Sequence, residues 1–343
     1  MINKLQKQFK YTSKANIILT YSNSNNKHGI CGHLFEVIDY WEILRKFFTV
    51  EILISEDIKE TDLDIALTKY KTELIPQIKE AIKFERPRSY NAKNSILIFT
   101  DGLLDTKLIY NVKNIILFPC GKKDYSYLRN FASKDKVIIM PDNRLQYGIP
   151  PYLTNLHYIK KINFDILKIY NAQCIDNFIY ATNNCRLLSN NIIKNYLNIT
   201  KKENRNLYIL VNEDSPLLLN KIEDENLIYE VLPIKDIFSR FAKFIYTGIP
   251  RKWDCSNRLL AECKFQYIDI WIDEEINNEY LSSDLGLKYR LQDIKHNFKS
   301  LYLKENDPLI EILTYLVSDK SIHEYINKKY IEDFNEIDKA LEG

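Results

Sequence analysis

Residues 243–273 read KFIYTGIPRKWDCSNRLLAECKFQYIDIWID. The stretch opens on a short apolar run, Lys243–Tyr246, and closes on another, Tyr267–Ile272. Both are too short for a helix and rich in aromatic and β-branched residues, which is the pattern of a buried strand. Between them a turn with Gly248 and Pro250 leads into a helical stretch, Ser256–Phe265, for which Asp254 or Ser256 supplies the cap. Strand, loop, helix, strand is the repeating unit of a parallel sheet with helices on both faces.

The same grammar extends in both directions. Leu207–Val211 and Leu227–Val231 read as strands, with a helix at Ile234–Phe241. A lysine- and asparagine-rich stretch, Asn195–Asn206, reads as a linker. Before it, apolar runs at Asn16–Tyr21, Val50–Ile54, Ser95–Thr100, Asn114–Phe118 and Lys136–Met140 read as strands of an earlier sheet. Leu34, Val37, Ile38, Trp41, Leu44 and Phe48 recur at helical spacing, and Asp62–Lys83 reads as a helix broken at Pro76. Asp307–Leu341 reads as helical, with an apolar stripe from Ile322 to Leu341. The expected architecture is α/β, two Rossmann-like domains in tandem: 1–198, then 199–318, with a C-terminal helix over 319–343. Neither half repeats the other in sequence.

The chain has 343 residues, 45% hydrophobic, with 48 Lys/Arg against 46 Asp/Glu. Its eight glycines exclude collagen-like and glycine-linker classes. Neither G-x-G-x-x-G nor G-x-x-x-x-G-K-[ST] occurs, which removes the dinucleotide and phosphate loops. The G-x-S-x-G elbow and H-E-x-x-H helix are also missing, which argues against serine hydrolases and zincins. The six cysteines form no C-x-x-C pair and read as reduced thiols. No run approaches a membrane span and the N-terminus has no signal-peptide core, so a cytoplasmic protein with no membrane partner is expected. Residues 1–200 carry 28 Lys/Arg against 19 Asp/Glu, and residues 201–343 carry 20 against 27. That polarity suggests an anionic partner for the first half; the alternative is an ordinary lysine-rich surface.

Several glycines fall just past strand ends: Gly29 and Gly32 in the first strand-to-helix loop, Gly102, Gly121 and Gly248. In open parallel sheets that edge is where ligands bind, although such turns favour glycine in any case. The backbone N–H groups at the start of the helix after Gly248, with Arg251 and Lys252 beside them, form an anion site suited to a diphosphate. Arg258 and Glu262 project from one face of that helix. The carboxylate can accept from two ribose hydroxyls while the arginine holds phosphate. The alternative is a surface pair worth about 0.3–0.5 kcal/mol. His28, Cys31 and His33 match no zinc spacing, so His33 is read as a substrate contact or base, or as a solvent-facing loop histidine. Asp62 and Asp64 read as helix-capping residues, and the acidic run from Asp273 to Glu275 reads as a solvated turn.

The segment KFIYT, GIPRKWDCSN, RLLAE and YIDIWID resembles the donor-binding region of GT-B glycosyltransferases. In that family a strand, a loop and a helix with a ribose-binding glutamate precede another strand. HGICGHLFEVIDYW resembles the N-terminal glycine loop and helix of the same family. The resemblance implies two domains facing a cleft, a final helix that crosses back to the first domain, and domain closure on donor binding. It implies a nucleotide-sugar donor, a UDP-sugar above all, with no obligatory metal. Gly29, Gly32, Thr247, Gly248, Arg251, Lys252, Ser256, Arg258 and Glu262 would bind it, with Asp254 in the register of a second acidic residue. Phe99-Thr100-Asp101 and Asp142-Asn143-Arg144-Leu145 are similar to strand-end motifs of phage DNA β-glucosyltransferases. That likeness implies a base at Asp142 or Asp101, with His33 in reserve, and double-stranded DNA as acceptor through the basic first domain. A monomer is expected. A nucleotide-sugar 2-epimerase, a glycan-directed transferase and a non-catalytic sugar- or DNA-binding protein are the alternatives.

Overall fold

The computed structural model describes residues 11–21, 32–54, 58–84, 90–99, 111–118, 137–139, 161–170, 175–181, 188–213, 215–232, 234–247, 258–274, 294–318 and 324. The chain divides into two compact units. The first draws on Met1–Leu63, Glu73–Asn163 and Tyr302–Gly343; the second on Asp64–Thr72 and Phe164–Leu301.

In the first unit the strands are β1 (Tyr11–Thr12), β2 (Ile17–Tyr21), β3 (Val50–Ile54), β4 (Ile82–Phe84), β5 (Tyr90–Phe99), β6 (Val112–Leu117) and β7 (Val137–Ile139). They lie in the order β4-β3-β2-β5-β6-β7, with β1 beside β5, and every pairing is parallel. Counted from β2, that order is 3-2-1-4-5-6, the doubly wound arrangement with a switch point between the first and fourth strands. Ile17, Ile18 and Leu19 of β2 are all fully buried, as a central strand covered on both faces requires. Each is worth about 1.5–3 kcal/mol relative to exposure. Helix Gly32–Leu44 follows β2 and buries ten of its thirteen residues, including Glu36 and Asp39, so it is a core helix rather than a one-sided amphipathic one.

The second unit carries β8 (Asn177–Tyr180), β9 (Leu207–Leu210), β10 (Leu227–Glu230), β11 (Lys243–Tyr246) and β12 (Asp269–Ile272). The order β10-β9-β8-β11-β12 is again all parallel, and counted from β8 it reads 3-2-1-4-5. The expected α/β class with two Rossmann-like domains therefore holds. The two halves share a topology that their residues do not advertise.

Several boundaries differ from the sequence reading. The expected linker is largely helix Asn190–Lys202, capped by Ser189, whose side chain accepts from Ile192 N. Ile193, Tyr196, Leu197 and Thr200 bury its inner face at helical spacing, and the lysines and asparagines lie around them. Strand β8 and this helix belong to the second unit, so its sheet begins before the expected boundary at 198. Asp62–Lys83 is two helices, Glu60–Leu67 and Leu74–Ala81, followed by β4. Pro76 sits in the first turn of the second helix, where its missing N–H costs nothing, and the break precedes it.

The chain returns to the first unit at Tyr302, seventeen residues before the expected start at 319. Tyr302 bridges Ile162, and helix Pro308–Val317 is capped by Asp307. Of the expected crossing helix at 319–343, all but residue 324 lies outside the described residues. This return changes the charge reading. The first unit holds 28 Lys/Arg and 26 Asp/Glu, the second 20 and 20, because the acidic 302–343 stretch rejoins the basic first half. The polarity between sequence halves does not survive as a polarity between folded units.

Candidate functional site

The switch point of the second sheet lies between β8 and β11, and β11 ends at Tyr246. Thr247 follows it and is buried. Its Oγ1 donates to Asp273 Oδ2 at 3.3 Å, just beyond β12. The Tyr196 hydroxyl donates to the same oxygen, and the Asp273 N–H donates to the Tyr246 carbonyl at 3.0 Å. Asp273 is thus a held, half-buried carboxylate on the carboxyl edge of the sheet, and not the solvated turn that its acidic neighbours suggest.

Helix Arg258–Phe265 comes next in the chain. Arg258 and Glu262, one turn apart, are 5% and 2% exposed, so they are no surface pair. Arg258 Nε donates to Glu262 Oε1 at 2.6 Å. Lys69, 2% exposed, donates from Nζ to that same oxygen. The Lys69 ammonium also lies 5.3 Å from the centroid of the Phe238 ring, a cation–π distance. Burial works to raise the Glu262 pKa, but the charges and hydrogen bonds of Lys69 and Arg258 outweigh it and hold the carboxyl below its usual range. The adjacent Cys263 thiol is pushed well up by burial and by the Glu262 charge, with Lys69 opposing.

Lys69 reaches this place because the segment Asp64–Thr72 belongs to the second unit. Tyr70 and Leu167 form an antiparallel bridge, Lys71 N donates to the Ile166 carbonyl at 3.1 Å, and Lys168 N donates to the Lys69 carbonyl at 3.3 Å. Tyr70 is fully buried and anchors the segment beside its neighbour.

Three fully desolvated ions are costly: the effective penalty is several kcal/mol for each, repaid only by close pairing. A well-packed apolar cluster of equal volume would stabilise the unit as well or better. Buried ionisable groups held by specific charge partners in this way mark a functional-site candidate.

In the first unit, His33 begins helix Gly32–Leu44 at the carboxyl side of β2. Its Nδ1 is 3.2 Å from Glu36 Oε2, and the imidazole is 28% exposed while the glutamate is 3% exposed. A buried carboxylate at Nδ1 favours the tautomer with the proton there, which makes Nε2 the basic nitrogen.

Of the residues expected from sequence to form a site, Gly32, His33, Thr247, Arg258 and Glu262 are described. Arg258 and Glu262 come into contact, Thr247 pairs with Asp273 instead, and His33 belongs to the other unit. Asp101, Asp142, Gly29, Gly248, Arg251, Lys252 and Ser256 lie outside the described residues, as do His28 and Cys31. Lys69 is a further member that the sequence does not mark as a site residue. Its partner stands 193 residues away, and no local pattern marks it. Among the described residues no group of three or more His, Cys, Asp or Glu could hold a metal, and no helix is long and apolar enough to cross a membrane.

No family model matches the chain, and no curated protein matches it. Among solved structures, it is similar to the glycosyltransferase VinC in complex with dTDP, at 10% identity, over 90% of this chain and 100% of that one, with a TM-score of 0.36. MurG of Acinetobacter baumannii is 11% identical over 93% and 99%, with a TM-score of 0.33. A glycosyltransferase of Rickettsia africae is 12% identical over 96% and 98%, also at 0.33. The fold assignment rests on the strand orders of the two sheets.

Proposed function

We propose that this chain is a GT-B-type glycosyltransferase that moves a sugar from a nucleotide-sugar donor to a hydroxyl acceptor. The supporting observation is a buried Arg258–Glu262 pair on the helix that follows the fourth strand of a 3-2-1-4-5 sheet, joined by Lys69 from the segment Asp64–Thr72. Rossmann-like sheets host many activities, so the site and not the fold must choose among them. A helix N-terminus on the carboxyl edge beside the switch point favours a phosphate-bearing ligand.

In this reading the second unit binds the donor. Arg258 faces the diphosphate, Glu262 serves the ribose through Oε2, and Oε1 is held by its two cations. The loop residues Gly248, Arg251, Lys252 and Ser256 complete the phosphate cradle. The first unit supplies the acceptor side. His33 is the base, with Glu36 orienting the ring. As a base, its Nε2 would take the proton of an acceptor hydroxyl. Asp101 and Asp142 remain the carboxylate candidates for the same task. The balanced charge of the first unit removes the electrostatic argument for DNA as the acceptor, so the acceptor is assigned only as a hydroxyl compound.

A thermal-shift panel of uridine and thymidine nucleotides and their sugars tests the donor site. A ligand at about 100 times its Kd adds about 2.7 kcal/mol, which for a unit of this size raises Tm by roughly 5–10 °C. If no nucleotide or nucleotide sugar raises Tm, the reading fails. Sugar transfer abolished by His33→Asn, with the nucleotide shift retained, would support the assigned base. Unchanged turnover would remove it.

A further inference from the structure

We propose that Lys69 is a positioning residue of the donor site, supplied to the second unit by a segment of the chain's first half; this rests on the donor-site reading above. Glu262 Oε1 accepts from both Lys69 Nζ and Arg258 Nε. Without the ammonium, one oxygen would carry the arginine alone, and the carboxylate could rotate about its last torsion to offer either oxygen. Terminal carboxylate torsions are broad and nearly two-fold, so local rotamer preference does not fix them. A second donor on Oε1, fastened to its own backbone clip, selects one orientation and aims Oε2 in a constant direction.

The backbone clip shows that Lys69 is placed rather than merely tolerated. Residues 69–71 are held by the Tyr70–Leu167 bridge and by hydrogen bonds from Lys71 N to Ile166 O and from Lys168 N to Lys69 O. The Phe238 ring faces the ammonium, and the Lys69 side chain is only 3% exposed. A lysine kept for solubility would be out in water, and a lysine kept for stability alone would be poorly chosen, since burying it costs more than an apolar side chain there. Its role is transmitted through Glu262, so it touches neither sugar nor phosphate.

The test is a double-mutant cycle in nucleotide affinity on the full chain, with UDP and dTDP as probes in calorimetric titration. Lys69→Met is expected to weaken whichever nucleotide the wild type binds by about tenfold or more, the scale of one lost charge-assisted contact. Lys69→Arg, which keeps charge and donor, is expected to stay within about threefold of wild type. In a Glu262→Gln background, Lys69→Met is expected to change affinity no further, because it acts through that carboxylate. The double variant also removes both members of a buried pair, so it keeps the test open if Lys69→Met alone does not fold. Wild-type affinity in folded Lys69→Met, or full additivity in the cycle, overturns the role of Lys69 and leaves the donor site standing. Binding of neither nucleotide by the wild type overturns both.

Discussion

Replacing Glu262 with glutamine is the sharpest perturbation of the buried cluster. The substitution keeps the side-chain volume and an oxygen acceptor, so packing is nearly unchanged. What it removes is the negative charge between two cations, all three buried, with the Arg258 contact at 2.6 Å. Lys69 and Arg258 would then face a neutral amide in a desolvated site. Removing one partner of a buried ion pair costs about 3–5 kcal/mol. In a unit of roughly 150–250 residues each kcal/mol moves Tm by about 2–4 °C, so the transition of the second unit should fall by about 6–20 °C. A surface i,i+4 pair would lower it by no more than about 2 °C. Differential scanning calorimetry at neutral pH separates the two sizes, and a fall below about 2 °C would refute the buried cluster. The pH dependence gives an independent sign. The folded pKa of Glu262 lies below its ordinary 4.5, so in acid the unfolded chain binds more protons than the folded one. The stabilisation is complete above about pH 4.5 and is lost as pH falls through the folded pKa. The gap in stability between wild type and Glu262→Gln must therefore narrow on acidification below that point, and a gap that widened would contradict the geometry.

Three further outcomes test other parts of the structure. Cys263 is buried with its thiol pKa raised, so native protein should leave it unmodified by iodoacetamide at pH 7.5 while denatured protein labels it; peptide mass spectrometry reads both, and rapid native labelling would contradict its placement. Asp307 caps helix Pro308–Val317 by accepting from Leu309 N at 2.9 Å and lies 3.0 Å from Lys161 Nζ. Asp307→Ala should cost more than the roughly 1 kcal/mol of a cap alone in urea unfolding, and Asp307→Asn, which keeps the cap, should cost less than Asp307→Ala. Tyr267, at φ 61° and 89% exposed, closes helix Arg258–Phe265 in a Schellman turn, with Ile268 N donating to Cys263 O at 2.9 Å. Tyr267→Gly should leave stability equal or raise it by up to about 1 kcal/mol, and a loss larger than that would show that the ring makes a contact of its own.

Much of the sheet framework was legible because parallel strands buried on both faces are written as unbroken apolar runs. Val50–Ile54 and Lys243–Tyr246 have the bounds their sequences suggest. Strand β8 was not legible: Asn177–Tyr180 is four residues behind a polar lead, with only Phe178 and Ile179 fully apolar. Yet it is the central strand of its sheet, since it pairs with both β9 and β11. Helix Asn190–Lys202 was hidden for the opposite reason. Its outer face is so rich in lysine and asparagine that composition masked the spacing of Ile193, Tyr196, Leu197 and Thr200. At the site, the Arg258–Glu262 pairing follows from helical periodicity alone. Its burial and its third member do not, because both depend on a segment nearly two hundred residues away in the chain.

The charge pattern shows how folding can reverse an inference drawn from the linear chain. A cut at residue 200 gives a basic half and an acidic half. The folded units are cut elsewhere, and not in one place: Asp64–Thr72 leaves the first half for the second unit, and Tyr302–Gly343 makes the opposite journey. The excess of cations in residues 73–163, 15 against 8, is offset by the 10 acids against 5 cations of residues 302–343. Binding a polyanion draws on many uncompensated cations, each releasing condensed counterions from the nucleic acid. A unit with 28 cations and 26 anions has no such reserve in its net charge. The net charge of the folded first unit therefore supplies no field that would draw a polyanion, whatever the linear halves suggest.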